Sequence, residues 1–236
     1  MSLERAEQLA LEGRFGASEA ALRRVGGRTA YGRWISAYLA ASRGDFARAE
    51  RLARALLSSP RASEDVRVRA AITLGSVLRQ TARHADARRV ERQVLARAGS
   101  SSQRAHLHVG LAADAVGLGE LSSVDAELAR AGELRVRDWR VRVRLGWVRC
   151  ERELLAGRPR AAVRHARSAL LTAERAGARK HVAKSLLFLG VSLRDAGAAA
   201  EAGGSLRRAR TIASSIGAHA IARVAGDTLR RQGARR

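Results

Sequence analysis

Large apolar, small and turn residues recur along this chain in a fixed order. A glycine followed two positions later by an aromatic or apolar residue occurs at Gly13-Arg14-Phe15, Gly44-Asp45-Phe46, Gly119-Glu120-Leu121, Gly157-Arg158-Pro159 and Gly197-Ala198-Ala199, and Ala82-Arg83-His84 fills the remaining slot with alanine. These six turn positions lie 31, 38, 37, 38 and 40 residues apart. Seven residues before each stands a small residue: Ala6, Ala37, Gly75, Ala112, Cys150 and Gly190. Three residues before those stand Leu3, Trp34, Ile72, Val109, Trp147 and Leu187, all large and apolar. Small side chains let two helices approach closely, and an apolar residue one turn earlier fills the space beside them. A period of this length is the mark of a tandem repeat whose units bury their apolar faces against one another.

Each unit reads as helix A, a tight turn at the glycine, helix B and a looser link. Ser58–Ser63 and Gly99–Ser102 are turn-rich links, and Gly26-Gly27, Gly132 and Gly177 sit where a helix B is expected to stop. The predicted units are 1–27, 28–62, 63–99, 100–135, 136–177 and 178–217, with a capping helix and basic tail over 218–236, all within one domain. The fold class expected is all-α, a right-handed α-solenoid of about six antiparallel helix-turn-helix repeats closed by a C-terminal capping helix. After the sixth turn, helix B is expected from about Ala202 to Ser215 and the capping helix from Ala218 to Arg231. Residues Leu134–Leu145 alternate as a strand would. Yet Val136, Trp139, Val143, Trp147, Cys150 and Leu154 make one helical stripe, and the repeat register selects helix.

With a small residue at the eighth position of helix A, and alanine again at Ala131, Ala169 and Ala209 in helix B, the repeat resembles the tetratricopeptide repeat (TPR). Its units of 37 to 40 residues are longer than the usual 34 of that family. The stretch Ser205–Ala218, then Ile221–Leu229 and Gly233–Arg236, is similar to the segment that closes the helical-repeat region of the large ATP-binding LuxR/MalT-type transcription regulators of actinobacteria. Those regulators also carry an ATPase module and a helix-turn-helix DNA reader. This sequence has neither, and it lacks the Gly-x-x-x-x-Gly-Lys-Ser/Thr phosphate loop. The resemblance therefore implies sensing or partner binding in a regulatory pathway, and it carries over no functional residue. Chaperone-binding members of the family clamp a peptide carboxylate with asparagines, and this chain contains no Asn.

Composition supports the helical reading. Hydrophobic residues make up 46% but aromatics only 3%, with two Pro, so the core must be built from Ala, Leu and Val in helices. Charge changes the picture more: 45 Lys and Arg stand against 22 Asp and Glu, a net +23, which asks for an acidic partner. All the cations except Lys180 and Lys184 are arginine. A GC-rich coding background favours Arg over Lys but does not account for the shortage of carboxylates. The single Cys150 excludes an internal disulfide and a cysteine metal cage. The charged start MSLERAEQLALEGR does not read as a signal peptide, and no run approaches the roughly 18 apolar residues of a membrane span. A cytoplasmic protein without membrane association is expected.

Candidate chemistry is sparse. His106-x-His108 places its rings on different sides of a helix, Gly117-x-Gly119 falls at a repeat turn, and Gly190-Val-Ser192 has Arg194 where a nucleophile elbow needs glycine. His84, at a turn column, reads as a half-buried ring, and Cys150 as a buried, inert thiol. No enzyme, cofactor or metal is expected. What remains is surface. On each helix A, the positions six before and one and four after the small column share a face away from the packing stripe, and the partner-binding candidates on it are Tyr31, Tyr38, Arg69, Arg79, His106, Arg144, Lys184 and Arg194. Tyr31, Trp34 and Tyr38 form a ridge, with Trp34 expected to pack under a neighbouring helix. The first partner class is an acidic or extended protein segment. The second is nucleic acid, bound through phosphates without sequence readout. Where the cations lie decides between a groove and an even coat.

Overall fold

A computed structural model describes residues 2–25 and 27–233. Gly26, expected as a helix stop, and Arg235 and Arg236 of the expected basic tail lie outside the described residues. Among the described residues there are thirteen helices and no strand. Helix packing divides into two compact units, Met1–Val136 and Arg137–Arg236.

The first unit holds α1 (Leu3–Leu11), α2 (Phe15–Arg24), α3 (Ala30–Arg43), α4 (Phe46–Leu57), α5 (Glu64–Gln80), α6 (His84–Leu95), α7 (Ser101–Gly117) and α8 (Leu121–Glu133). The second holds α9 (Trp139–Leu155), α10 (Pro159–Arg175), α11 (Arg179–Asp195), α12 (Ala199–Ser215) and α13 (His219–Gly233). In both, the odd-numbered A helices pack against the flanking B helices and also touch the next A helix. Successive B helices are joined instead by long side chains, as in Arg83–Glu50 at 3.1 Å and Arg88–Glu120 at 2.7 Å. This is the stacking of an all-α solenoid.

Every A-to-B turn closes the same way. Gly13, Gly44, Ala82, Gly119, Gly157 and Gly197 all adopt positive φ, between 60° and 92°. The next residue turns its N–H back onto the last helical turn, as in Glu120 N to Ala115 O (2.9 Å) and Arg158 N to Glu153 O (2.8 Å). Two hydrogen bonds thus satisfy carbonyls that a helix end leaves open, and the chain reverses within three residues. Ala82 is the costly member, because its Cβ crowds the carbonyl in this conformation.

The small column is buried throughout. A Cβ built on Gly190 would meet Leu206 Cγ at 2.6 Å, so the approach of α11 to α12 tolerates no side chain there. Around these contacts the cores are aliphatic, as in the cluster of Cys150, Ala162, Val163, Ala166, Leu189, Leu193 and Ala202.

The second unit departs from the expected loose B-to-A links. Its helices start at 139, 159, 179, 199 and 219, each complete helix running 17 residues before a short turn. Gly177 and Gly217 take the same positive φ as Gly157 and Gly197, so both kinds of turn are equally tight. Other boundaries shift too. α9 begins only at Trp139, because Asp138 caps it by accepting from Arg140 N (2.8 Å), which leaves Val136 in the link before the helix. Gly132 lies inside α8, and the positive φ falls on Arg135 instead. α12 starts at Ala199 rather than Ala202, and α13 runs on to Gly233.

Relieving the alanine turn should stabilise the first unit: Ala82→Gly is expected to gain about 0.5–1 kcal/mol, and Gly119→Ala to lose about 1 kcal/mol, in urea unfolding followed by circular dichroism.

Candidate partner-binding faces

The aromatic ridge of α3 is tied down by its own neighbours. Trp34 is buried and donates from Nε1 to Thr73 Oγ1 on α5 (3.2 Å). Tyr31 donates its hydroxyl to Glu7 on α1, and burial with that carboxylate raises its pKa. Arg69 reaches Glu7 (3.1 Å) and Asp65 (2.8 Å) and lies over the rings of Tyr31 and Trp34, 5.5 and 4.9 Å from their centroids. Tyr38 is half-buried at the end of the ridge, its ring 6.3 Å from that of Trp34. Two candidates, Tyr31 and Arg69, therefore meet, Tyr38 reaching them only through Trp34, and Arg69 and Glu7 fasten α1, α3 and α5 together.

Arg79 is not on this face at all. Its Nη1 donates to Glu91 Oε2 (3.0 Å), Asp114 Oδ1 (3.1 Å) and the Gly110 carbonyl (3.3 Å), and Nη2 donates to Glu91 Oε1 (3.0 Å). Both carboxylates are wholly buried. The sequence register had placed Arg79 outward, but α6 and α7 close over the last turn of α5. Glu91 fits because Gly75 and Gly110 leave a slot, and a Cβ on either would overlap its carboxylate. One guanidinium faces two carboxylates, so Asp114, desolvated and repelled by Glu91 against the pull of Arg79, is pushed up to about 7. A signal for this network was present in the sequence: Glu91 interrupts the apolar stripe Ala87, Glu91, Val94.

His106 is half-buried on α7. The adjacent His108 turns to α8, with Nδ1 2.7 Å from Glu127 Oε2, a carboxylate also held by Arg130. His84 is half-buried, its ring against the backbone of Gly117.

In the second unit α9 and α11 assemble a different arrangement. Trp147 donates to Ser185 Oγ (2.8 Å) and stacks on His181 (5.6 Å) and Phe188 (5.8 Å), while Trp139 meets His181 edge-on at 4.9 Å. Lys184 Nζ sits 4.7 Å from the Trp147 ring centroid. His181 is only 6% exposed, and its Nδ1 has no hydrogen-bond partner. Burial, then Lys180, Lys184, Arg140 and Arg144, hold its pKa well below the usual value. Four cations from two A helices thus lie near one neutral ring, Arg140 being paired with Asp138 at 2.8 Å, and Arg144 and Lys184 are on the same helix pair as candidates. Arg194 lies ten residues beyond Lys184, about 15 Å along α11, and pairs with Asp195 at 2.7 Å. The Cys150 thiol contacts Ser192 Oγ at 3.1 Å, and burial pushes it up to about 11, which keeps it protonated.

The charge is not an even coat. Residues 1–136 carry 22 Lys and Arg against 15 Asp and Glu, whereas residues 137–236 carry 23 against 7. Most of the net charge belongs to the second unit.

No protein-family model matches this sequence, and no curated protein matches it. Solved structures of similar fold include the following two. The crystal structure of the APC/C hetero-tetramer Cut9–Hcn1 aligns with 98% of this chain at 15% identity and a TM-score of 0.60, this chain spanning 48% of the other's length. BtubC (BKLC) from P. vanneervenii aligns with 92% of each chain at 20% identity and a TM-score of 0.50. The chain has a TPR-like helical-repeat fold.

The buried triad makes stability depend on pH. Between about 4 and 7 the folded chain keeps a proton on Asp114 that the unfolded chain has released, so this contribution falls as pH rises. His181 acts oppositely below the ordinary histidine value of 6.5, where only the unfolded chain gains the proton. Asp114→Asn keeps an oxygen for Arg79 and removes the titration, so the Tm of the variant minus that of the parent should grow from pH 5 to pH 8; a constant difference would show Asp114 ionised throughout.

Proposed function

We propose that this chain is a non-enzymatic helical-repeat adaptor that holds an acidic or extended protein segment, in a regulatory, transcription-related pathway of the cytoplasm. The observation that carries this reading is the placing of Lys184 over the Trp147 ring on the α9–α11 face, with Arg144, Lys180 and the Asp138-paired Arg140 near His181. A segment bearing carboxylates would meet these positive side chains, with apolar contact from the half-buried Phe188. Arg194 extends this face along α11, and Tyr31, Tyr38 and His106 mark the A helices of the first unit. Arg69 contributes mainly by holding three helices together. The TPR-like fold supports the adaptor reading by analogy, and the similarity of 205–236 to the repeat region of LuxR/MalT-type regulators supports the regulatory placement.

The double variant Arg144→Gln/Lys184→Gln should bind short acidic peptides about tenfold more weakly than the parent, a loss of about 1.4 kcal/mol, with its Tm preserved. Unchanged affinity in isothermal titration would remove this face from the proposal. Arg69→Gln should instead lower the Tm and leave that affinity alone.

A further inference from the structure

The B helices of the second unit carry a charge pattern that the adaptor reading leaves unused. α10 buries Ala162, Val163, Ala166, Ala169 and Ala173 and exposes Arg160, Arg164 and Arg167. These three lie at i, i+4 and i+7, one stripe with steps of about 6 and 4.5 Å along the axis. α12 buries Ala202, Leu206, Ala209 and Ala213 and exposes Arg207, Arg208 and Arg210. The two helices are tied side by side by Arg167–Glu201 at 3.3 Å and Arg208–Glu174 at 3.6 Å. The two carboxylates of these helices are thus already covered by arginine. Among the described residues Arg160, Arg164, Arg207 and Arg210 make no ion pair. Burial, with Arg149 and Arg164 close by, lowers the pKa of His165, while Glu153 of α9 acts the other way and is itself paired with Arg152 and Arg158.

With Arg175 at the end of α10, seven arginines on these two helices stand against two carboxylates that arginine already pairs. Like charges held this close repel, and only counter-ions or an anionic partner relieve them. We propose that the outward face of α10 and α12 is an interface for the phosphate backbone of nucleic acid, bound without sequence readout. The chemistry selects phosphate on two grounds. Guanidinium groups pair with phosphate oxygens through two parallel hydrogen bonds, and a backbone supplies charges at the close, regular spacing that the α10 stripe can follow. The helices carry no Phe, Tyr or Trp, and Leu171 is their one exposed large apolar residue, so the face lacks both a platform for base stacking and the buried anchor that a protein segment needs. The face is on B helices rather than A helices, so it stands whether or not the adaptor reading does.

The test is fluorescence anisotropy of the full, nuclease-treated chain with labelled single-stranded and duplex DNA of unrelated sequences across a salt series. Binding at low salt should be indifferent to sequence and weaken steeply with salt. The triple variant Arg160→Gln/Arg164→Gln/Arg167→Gln should weaken binding at least about tenfold and reduce the log–log salt slope by about two to three. Glutamine retains helix propensity at these exposed sites, and circular dichroism confirms the fold. Arg144→Gln/Lys184→Gln should stay within about twofold of the parent, since those cations serve the other face. Three results would overturn the proposal: no binding at low salt, an equal loss from the charge-matched first-unit variant Arg23→Gln/Arg48→Gln/Arg51→Gln, or displacement of DNA by polyglutamate at equal charge concentration.

Discussion

Helices in this chain approach one another at points where nothing larger than alanine fits, and the remaining architecture is arranged around those points. Gly190 against Leu206 and Gly146 against Ala169 are the tightest in the second unit. With so few aromatic residues the chain has little bulk with which to fill wide gaps, so cohesion must come from short distances and many small dispersion contacts. Short distances in turn require abrupt reversals, which the positive-φ turn supplies at every A-to-B junction. Column, turn and composition are three aspects of one packing solution.

The same closeness explains the buried charges of the first unit. Gly75 and Gly110 leave a void that no aliphatic side chain occupies, and Glu91 fills it with a carboxylate that Arg79 must then neutralise. A buried ion pair of this kind adds little net stability over a well-packed apolar alternative, yet removing one partner is severe because it strands the other. Gly75, Arg79, Glu91, Gly110 and Asp114 consequently behave as a single unit, tolerant of joint replacement and intolerant of piecemeal change.

Much of this was legible in the sequence. Six small-column residues and six turn positions are read directly, because burial and φ depend on local size and on the turn itself. The depth of Arg79 was not legible, since an arginine one turn beyond the column is outward or inward according to what the next two helices present. The 20-residue beat of the second unit was present in Gly157, Gly177, Gly197 and Gly217, but it is visible only when both kinds of turn are aligned together. The candidate side chains differ for a related reason. Arg144 and Lys184 lie half-buried beside the Trp147 and His181 rings, whereas Arg69 is held by Glu7 and Asp65. Net charge in the sequence does not show which side chains face one another across two helices, and the packing does.

The crowding of arginine in the second unit has a consequence for how that unit persists. A domain folded against its own repulsion is less stable than its apolar contacts alone would make it, and it recovers the difference when anions cover it. Any ligand that binds only the folded form shifts the folding equilibrium in proportion to its concentration over its Kd. Whatever occupies these arginines therefore acts as a folding partner as well as a cargo, and the standing amount of intact second unit in a cell would follow the supply of that partner.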